Sequence, residues 1–394
     1  AEQYKKAYTN TPAKERDARG KRAKKLAECY RRINYPQKAI AAYNNVLRYN
    51  QADSMTHLLL AQQLMKTGNY KQAEKTFAVA LDSIPNSQLA KNGLRSAQMA
   101  PQWKREGSQY TVKKADIFNS QRADYSPMLA GDDNDRLYFA STRKQTKGDE
   151  LSGITGTKTA DIFMSQKDEN GKWTKPQTID TELNSDYDEG ACSFSPDGRT
   201  MYLTQCATDE NYPRYATICT SQRNDASWGK STPIELSKDT LSSFAHPAVS
   251  PDGQWLYFCS DMPGGEGGLD IWRVRIVSDG HYGGVENLGK PINTEGDEMF
   301  PTFRPNGDLY FSSNGHEGMG GLDIFIAKQD STRKGWQIEH PGFPLNSEGD
   351  DFGMTFEGLK NQGFFSSNRG NARGWDHIFS FYNPEIVQTV TGWV

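Results

Sequence analysis

Residues 251–274 read PDGQWLYFCSDMPGGEGGLDIWRV, and residues 305–327 read PNGDLYFSSNGHEGMGGLDIFIA. In both, Pro presets φ and Gly accepts φ > 0 for a tight turn, an alternating apolar strand follows, and after a Gly-rich loop comes a second strand led by Leu-Asp. Moving outward, the same order recurs as YSPMLAGDDNDRLYFAST, CSFSPDGRTMYLTQC and TFEGLKNQGFFSS. The apolar anchors Leu129, Phe194, Val249, Phe303 and Phe356 are 65, 55, 54 and 53 residues apart. The further strands ADIFMS, ATICTS, LDIWRV, LDIFIA and DHIFSF follow, each leading to a fourth short strand, as in WTKPQTID, WGKSTPIEL and WQIEHPGFPLN.

Four antiparallel strands repeated at this period predict propeller blades over residues 123–383, with five blades visible. A sixth would need a unit that the sequence does not show, although KKADIFNS could lend a strand that closes the ring. The second unit lacks the Asp before its TIC strand, and the fifth has lost the Pro-Asp-Gly turn. In the order SPDG, LYF, DIW these units resemble the PD40 class of WD40-like propellers found in periplasmic proteins such as TolB.

The front of the chain has another period. Ala27, Tyr30, Ala39, Tyr43 and Val46 recur 34 residues later as Ala61, Leu64, Ala73, Phe77 and Ala80, the tetratricopeptide spacing. Small alanines let paired helices approach, Gly68 and Asn69 turn the chain, and Pro85 closes the second copy. The fold class expected is therefore an all-α tetratricopeptide solenoid over residues 1–100, a linker over 101–122 and an all-β propeller. Residues 88–100 read as a capping helix ended by Pro101. Residues 384–394, PEIVQTVTGWV, read as the start of a further β-sandwich domain. Tyr30, Asn34, Tyr43 and Asn69 are the candidates for a protein-binding groove.

The net charge of −3 conceals an asymmetry: residues 1–110 carry 20 Lys and Arg against 8 Asp and Glu, and the remainder carries 26 against 41. A basic front could meet nucleic acid, anionic lipid or an acidic protein. Because its charges are spread along helices without interleaved aromatics, no nucleic-acid partner is expected. No run of eighteen apolar residues occurs, and no secretory leader is expected within these residues. Cys29, Cys192, Cys206, Cys219 and Cys259 have no metal-type spacing; Cys206 and Cys219 could pair, or all could be buried thiols.

Between units sit LNSDYDEG (183–190), INTEGDEM (292–299) and LNSEGDDF (345–352), with FNSQRADYS a weaker form. Their acids lack the register of a helical-hand calcium loop. Asn184, Asn293 and Asn346 are expected to bind backbone at the crossover, and Asp188, Asp297 and Asp350 to cap the following strand turn. For a glycosidase, Glu189, Asp297 and Asp350 would be the carboxylates to consider, but they follow the repeat where catalytic groups should break it. His246, His281, His316 and His377 have no motif around them. No GxSxG elbow is present, and the Gly-rich stretches lack the Lys of a phosphate loop, so they read as hairpin loops. Neither a catalytic residue, a cofactor nor a metal is expected.

Taken together, the order of solenoid, PD40 propeller and incipient sandwich resembles the PorE-type, OmpA-family lipoproteins of the Bacteroidetes type IX secretion system. The resemblance implies a noncatalytic periplasmic scaffold associated with the outer membrane through an N-terminal lipid anchor. It also implies peptidoglycan binding through a C-terminal OmpA-like domain absent from these residues, and secretion or envelope proteins as partners. The alternative is a carbohydrate-binding or glycoside-hydrolase-like propeller.

Overall fold

The computed structural model describes residues 1–131, 133–146, 158–179, 182–207, 216–224, 227–278, 280–330 and 335–385. The proposed sandwich strand therefore lies almost wholly outside the described residues. Six helices come first: α1 (Glu2–Asn10), α2 (Arg16–Arg32), α3 (Pro36–Arg48), α4 (Ser54–Met65), α5 (Tyr70–Ser83) and α6 (Gln88–Glu106). Asp53 caps α4 in a reciprocal box with Thr56, and Ser87 caps α6. At the end of α2, Asn34 takes φ +52°, and Tyr35 N–H bonds back to the Tyr30 carbonyl, which stops the helix with a left-handed residue. Ala27, Ala39, Ala61 and Ala73 are all fully buried where helices touch. Tyr43 and Phe77, 34 positions apart, fill equivalent places at 1% exposure each.

Pro101 does not end α6. The helix runs through it to Glu106, its last turn anchored by Trp103 against the His340 ring at a centroid distance of 5.1 Å. Part of the expected linker is thus helix, and another part is strand β1 (Thr111–Lys114).

The first blade comprises β2 (Asp124–Ala130), β3 (Arg136–Ser141), β4 (Asp161–Gln166) and β5 (Gln177–Thr178). The second has β6 (Asp188–Phe194), β7 (Thr200–Cys206), β8 (Thr217–Asn224), β9 (Ser227–Trp228) and β10 (Thr232–Pro233). The third has β11 (Phe244–Val249), β12 (Trp255–Ser260), β13 (Asp270–Ser278) and β14 (His281–Asn287). The fourth has β15 (Glu298–Phe303), β16 (Leu309–Ser313), β17 (Asp323–Asp330) and β18 (Gly335–Glu339). The fifth has β19 (Asp351–Phe356), β20 (Gln362–Ser367) and β21 (His377–Tyr382), and β1 pairs antiparallel with β21 as its outer strand.

The ring has five blades, and the closing strand is Thr111–Lys114, which overlaps the start of the KKADIFNS stretch expected to supply it. First strands β2, β6, β11, β15 and β19 pack side by side around the centre, with β19 against β2 completing the circle. Each junction buries its own apolar cluster; at the closure, Phe118, Leu137, Phe139, Phe163 and Ile378 come together.

The crossover asparagines act as the spacing suggested. Asn293 accepts from the Ile271 N–H at 2.9 Å and donates to the Ile271 carbonyl at 3.0 Å. Asn184 does the same to Ile162 and Asn346 to Ile324. The weaker form carries the same clamp: Asn119 bonds both backbone groups of Ile378 and so ties the ring shut. The aspartates differ from expectation. Asp188, Asp297 and Asp350 accept from the N–H groups of Ala160, Leu269 and Leu322, at the entry to the preceding blade's third strand, rather than capping the strand that follows. The next acid in each run, Glu189, Glu298 or Asp351, holds the turn by accepting from the backbone N–H four residues before it. The glycosidase candidates therefore mix two tiers of the motif, since Glu189 is the counterpart of Glu298 and Asp351.

Candidate interaction site

The basic front meets an acidic surface of its own chain. Lys66, at the end of α4, pairs with Asp350 at 2.8 Å, and Asn34 donates to the same carboxylate at 2.8 Å. Glu295 accepts from the N–H of Leu89 and the hydroxyl of Ser87 at the start of α6. Along α6, Asn92 donates to the Gly315 carbonyl, Ser96 accepts from Gly318 N–H, Arg95 pairs with Glu317 and Lys104 with Glu348. The acids come from the crossovers and from the loops between second and third strands of the blades.

Those loops include the Gly-rich stretches. Asp323, first residue of β17, accepts from the N–H groups of Met319 and Gly320, which folds the loop back over the blade. A Cβ on Gly321 would stand 2.1 Å from an Asp350 oxygen and 2.9 Å from the Lys66 side chain, so glycine is needed where α4 lands. These loops are hairpin connections, as expected, and they serve as the docking platform for the helices.

Between the helices and the propeller mouth lies a cavity of about 410 Å³. Its helical wall includes Arg31, Gln63, Met65 and Lys66; its propeller wall includes Asp297, Phe300, His316, Phe352 and Asp376. Below it the central channel is filled. The His246 and Phe300 rings stack at 3.6 Å, and Phe300 lies 4.4 Å from Phe352. His246 and Phe300 both adopt left-handed φ, +54° and +53°, at the bulge of their first strands, which turns the rings toward the axis. The space remaining under them is about 20 Å³, room for little more than a water molecule.

The chemistry of these groups follows from burial. The His246 ring lies 3.2 Å from the Cys259 sulfur, but burial pushes the imidazole down to about 3 and the thiol up, so both stay neutral and the pair lacks an activated thiolate. Glu189 and Glu298 are pushed up to about 7, chiefly by burial and against the hydrogen bonds each accepts from Ser185 and Gln205, or from Ser313 and Thr294. Burial also works against the charge on Asp350, but Lys66 and Asn34 outweigh it and hold the carboxyl below its usual range. All five cysteines are free thiols; Cys219 faces Leu203 across the β7–β8 pair, not Cys206. Among the described residues no group of three or more His, Cys, Asp or Glu is placed to hold a metal, and no helix is long and apolar enough to cross a membrane.

Of the four residues nominated for a partner groove, Asn34 reaches this site, bonded to Asp350 and Lys66. Tyr30 and Tyr43 are buried in the solenoid at 8% and 1% exposure, and the Tyr43 hydroxyl donates to Glu28. Asn69 is exposed and bonds Gln72 beside it.

The sequence pattern places Asp376 at the head of DHIFSF without singling it out. Register pairs Ser313 with Asp323 and Ser260 with Asp270, but Ser367 with His377. Asp376 thus occupies the place of Leu322, Leu269 and Ala160, and its carbonyl makes the same bond to the next blade as theirs. It breaks the repeat where the others are apolar, the signal that separates a special residue from a repeating one. Burial and the nearby Asp350 charge push its carboxyl up to about 7, partly offset by Lys66.

Comparison with known proteins agrees with the helical reading: the tetratricopeptide repeat family matches residues 35–96. No curated protein matches the chain. Among solved structures it is similar to TolB from Acinetobacter baumannii, at 19% identity over 67% of this chain and 55% of that one, TM-score 0.36. A thermostable family-43 glycoside hydrolase matches at 12% identity over 68% of this chain and 92% of that one, TM-score 0.45. A puromycin-hydrolysing peptidase of Mycobacterium tuberculosis matches at 12% identity over 62% and 33%, TM-score 0.36. The chain therefore spans about half the length of the TolB structure. At these scores the neighbours carry no argument about activity, and the five-blade propeller rests on the sheet pairing described above. Tetratricopeptide helices joined to a propeller form an architecture suited to protein interaction.

Proposed function

We propose that the chain is a noncatalytic interaction scaffold of the bacterial envelope, periplasmic and outer-membrane associated, in a type IX secretion assembly. The observation that carries the reading is the docking of the helices on the propeller. Five acidic positions, Glu295, Glu317, Glu348, Asp350 and, through its loop, Asp323, fit a basic or polar helical surface over three helices. A preformed composite surface loses little entropy when a partner binds, which favours a static assembly.

The partners proposed are secretion and envelope proteins, with peptidoglycan reached through a further C-terminal domain and the outer membrane through an N-terminal lipid. Three carboxylates that line the mouth cavity are held in place, Asp297 by the Leu269 N–H, Asp323 by the Met319 and Gly320 N–H groups and Asp350 by Lys66, which favours this reading over the glycosidase alternative, whose two carboxyl groups must be free to act on a sugar. The deciding test is the intact mass of the native polypeptide from cell envelopes. A mass above 44.1 kDa with a diacylglyceryl increment, together with co-sedimentation with peptidoglycan, is expected. A soluble 44.1 kDa species with neither property overturns the proposal.

A further inference from the structure

We propose that the cavity between the helices and the propeller mouth is a receptor for one ammonium or guanidinium group. Two acceptor oxygens at its walls have no donor. Gln63 is only 3% exposed and its Oε1 is buried without a hydrogen-bond partner; the Oδ1 of Asp376 is likewise buried and unpartnered. Buried acceptors are nearly always satisfied, and leaving one empty costs more than a typical hydrogen bond contributes, so two in one cavity call for a donor-rich occupant.

Charge points the same way. Of the three cationic side chains that line the cavity, Lys66 is paired with Asp350 at 2.8 Å and Arg31 with Glu28 at 2.9 Å, which leaves Arg32 on the helical wall, while an anion would meet the Asp376 carboxylate. The rings of Phe300 and Phe352, packed against each other, form an apolar border of the same space that suits the aliphatic stem of a lysine or arginine side chain. At about 410 Å³ the cavity suits the end of a lysine or arginine side chain or a small free amine. Fold maintenance does not account for Asp376, since Leu322 and Leu269 make the same backbone bond in their blades.

The test is calorimetric titration of the 394-residue chain at pH 8 with N-acetyl-arginine methylamide, N-acetyl-lysine methylamide and putrescine, using N-acetyl-norleucine methylamide and acetate as controls. The cationic probes should bind and both controls should not. Asp376→Leu, which installs the residue of neighbouring blades, should weaken the cations about tenfold or more with no loss of melting temperature. Should that variant fail to fold, Asp376→Asn, equal in shape and uncharged, is expected to show the same loss. Tighter binding of the blocked side chains marks a polypeptide source, and tighter binding of putrescine a free amine. Absence of cation binding, equal binding of norleucine or acetate, or an unchanged affinity in Asp376→Asn overturns the proposal.

Discussion

The runs 183–190 and 345–352, LNSDYDEG and LNSEGDDF, are near copies with opposite electrostatics. In both, the Asn clamps the preceding blade's third strand and the Asp that the two runs share, Asp188 or Asp350, accepts one N–H from that strand's entry. Among the described residues, Asp188 has the N–H from Ala160 alone to set against burial, and its carboxyl is pushed up. Asp350 also meets Lys66 and Asn34 and is held down. The repeat specifies the turn; what lies over the turn specifies its charge. The helices cover the later copy, so the same local sequence becomes a docking point.

The largest effect should come from uncoupling that difference. Removing the Lys66 ammonium leaves a buried carboxylate without its cation, so Lys66→Met is expected to destabilise by about 3 kcal/mol. Asp350→Asn should also cost stability, because its amide keeps the N–H bond and loses the ion pair. Asp188→Asn, which keeps its bond and sheds a desolvated charge, should be neutral or slightly stabilising. Denaturant midpoints for the three variants decide it: equal losses at Asp188 and Asp350 would mean that the helices add nothing to the motif.

The next prediction sharpens what the copies share. Asn184 and Asn346 make the same two backbone bonds, at 2.9 and 3.1 Å to Ile162 and at 2.7 and 2.9 Å to Ile324. Alanine at either place should cost about 2 kcal/mol by leaving backbone groups unpaired, and the two losses should match. The junction between the second and third blades lacks the Asn. It has Leu236 and Ser237, and Phe244 stands at the register position of Glu298. Ser237→Ala should accordingly change the folding stability little, by less than about 0.5 kcal/mol.

Both architectures were legible because each repeats. Alanines at a 34-residue offset and Pro-Asp-Gly turns about every 54 residues announce elements that contact their own kind. Contacts between two different repeat systems share no period. The pairing of Lys66 with Asp350, 284 residues apart, leaves no trace except a basic front and an acidic back. Pro101 misled because its helix end depends on Trp103 finding His340, a tertiary contact. Only the bounds of strand β1, which shares Lys113 and Lys114 with the KKADIFNS stretch, are not legible, because it belongs to a blade whose other strands lie at the far end of the chain. Asp376 was readable in principle, as an acid in an apolar column, but only once register fixes which column it occupies.

A pH series distinguishes the buried acids. Glu189 and Glu298 are pushed up to about 7 in the folded chain, so the folded state holds protons that the unfolded state has released. Stability from these groups is full below the unfolded carboxylate range and is lost as pH rises through about 7. Between pH 6 and 8 each should account for about 1 kcal/mol. Glu298→Gln should flatten the melting-temperature profile in that window; an unchanged slope would show that Glu298 does not carry it. Asp350, held below its usual range, has the opposite sign, and its contribution fades only when acid protonates it.

The smallest effect belongs to the exposed part of the docking surface. Arg95 and Glu317 lie 2.9 Å apart with side chains 69% and 36% exposed, and Lys104 and Glu348 lie 3.2 Å apart at 46% and 30%. Water and salt screen such pairs, so Arg95→Ala or Lys104→Ala should cost less than about 1 kcal/mol. Raising ionic strength should erase these small losses while leaving the Lys66→Met loss largely intact, because Asp350 is only 4% exposed. If salt abolished both, the helices would be held by diffuse charge attraction, and the distinction between the covered and uncovered copies of the motif would be one of degree.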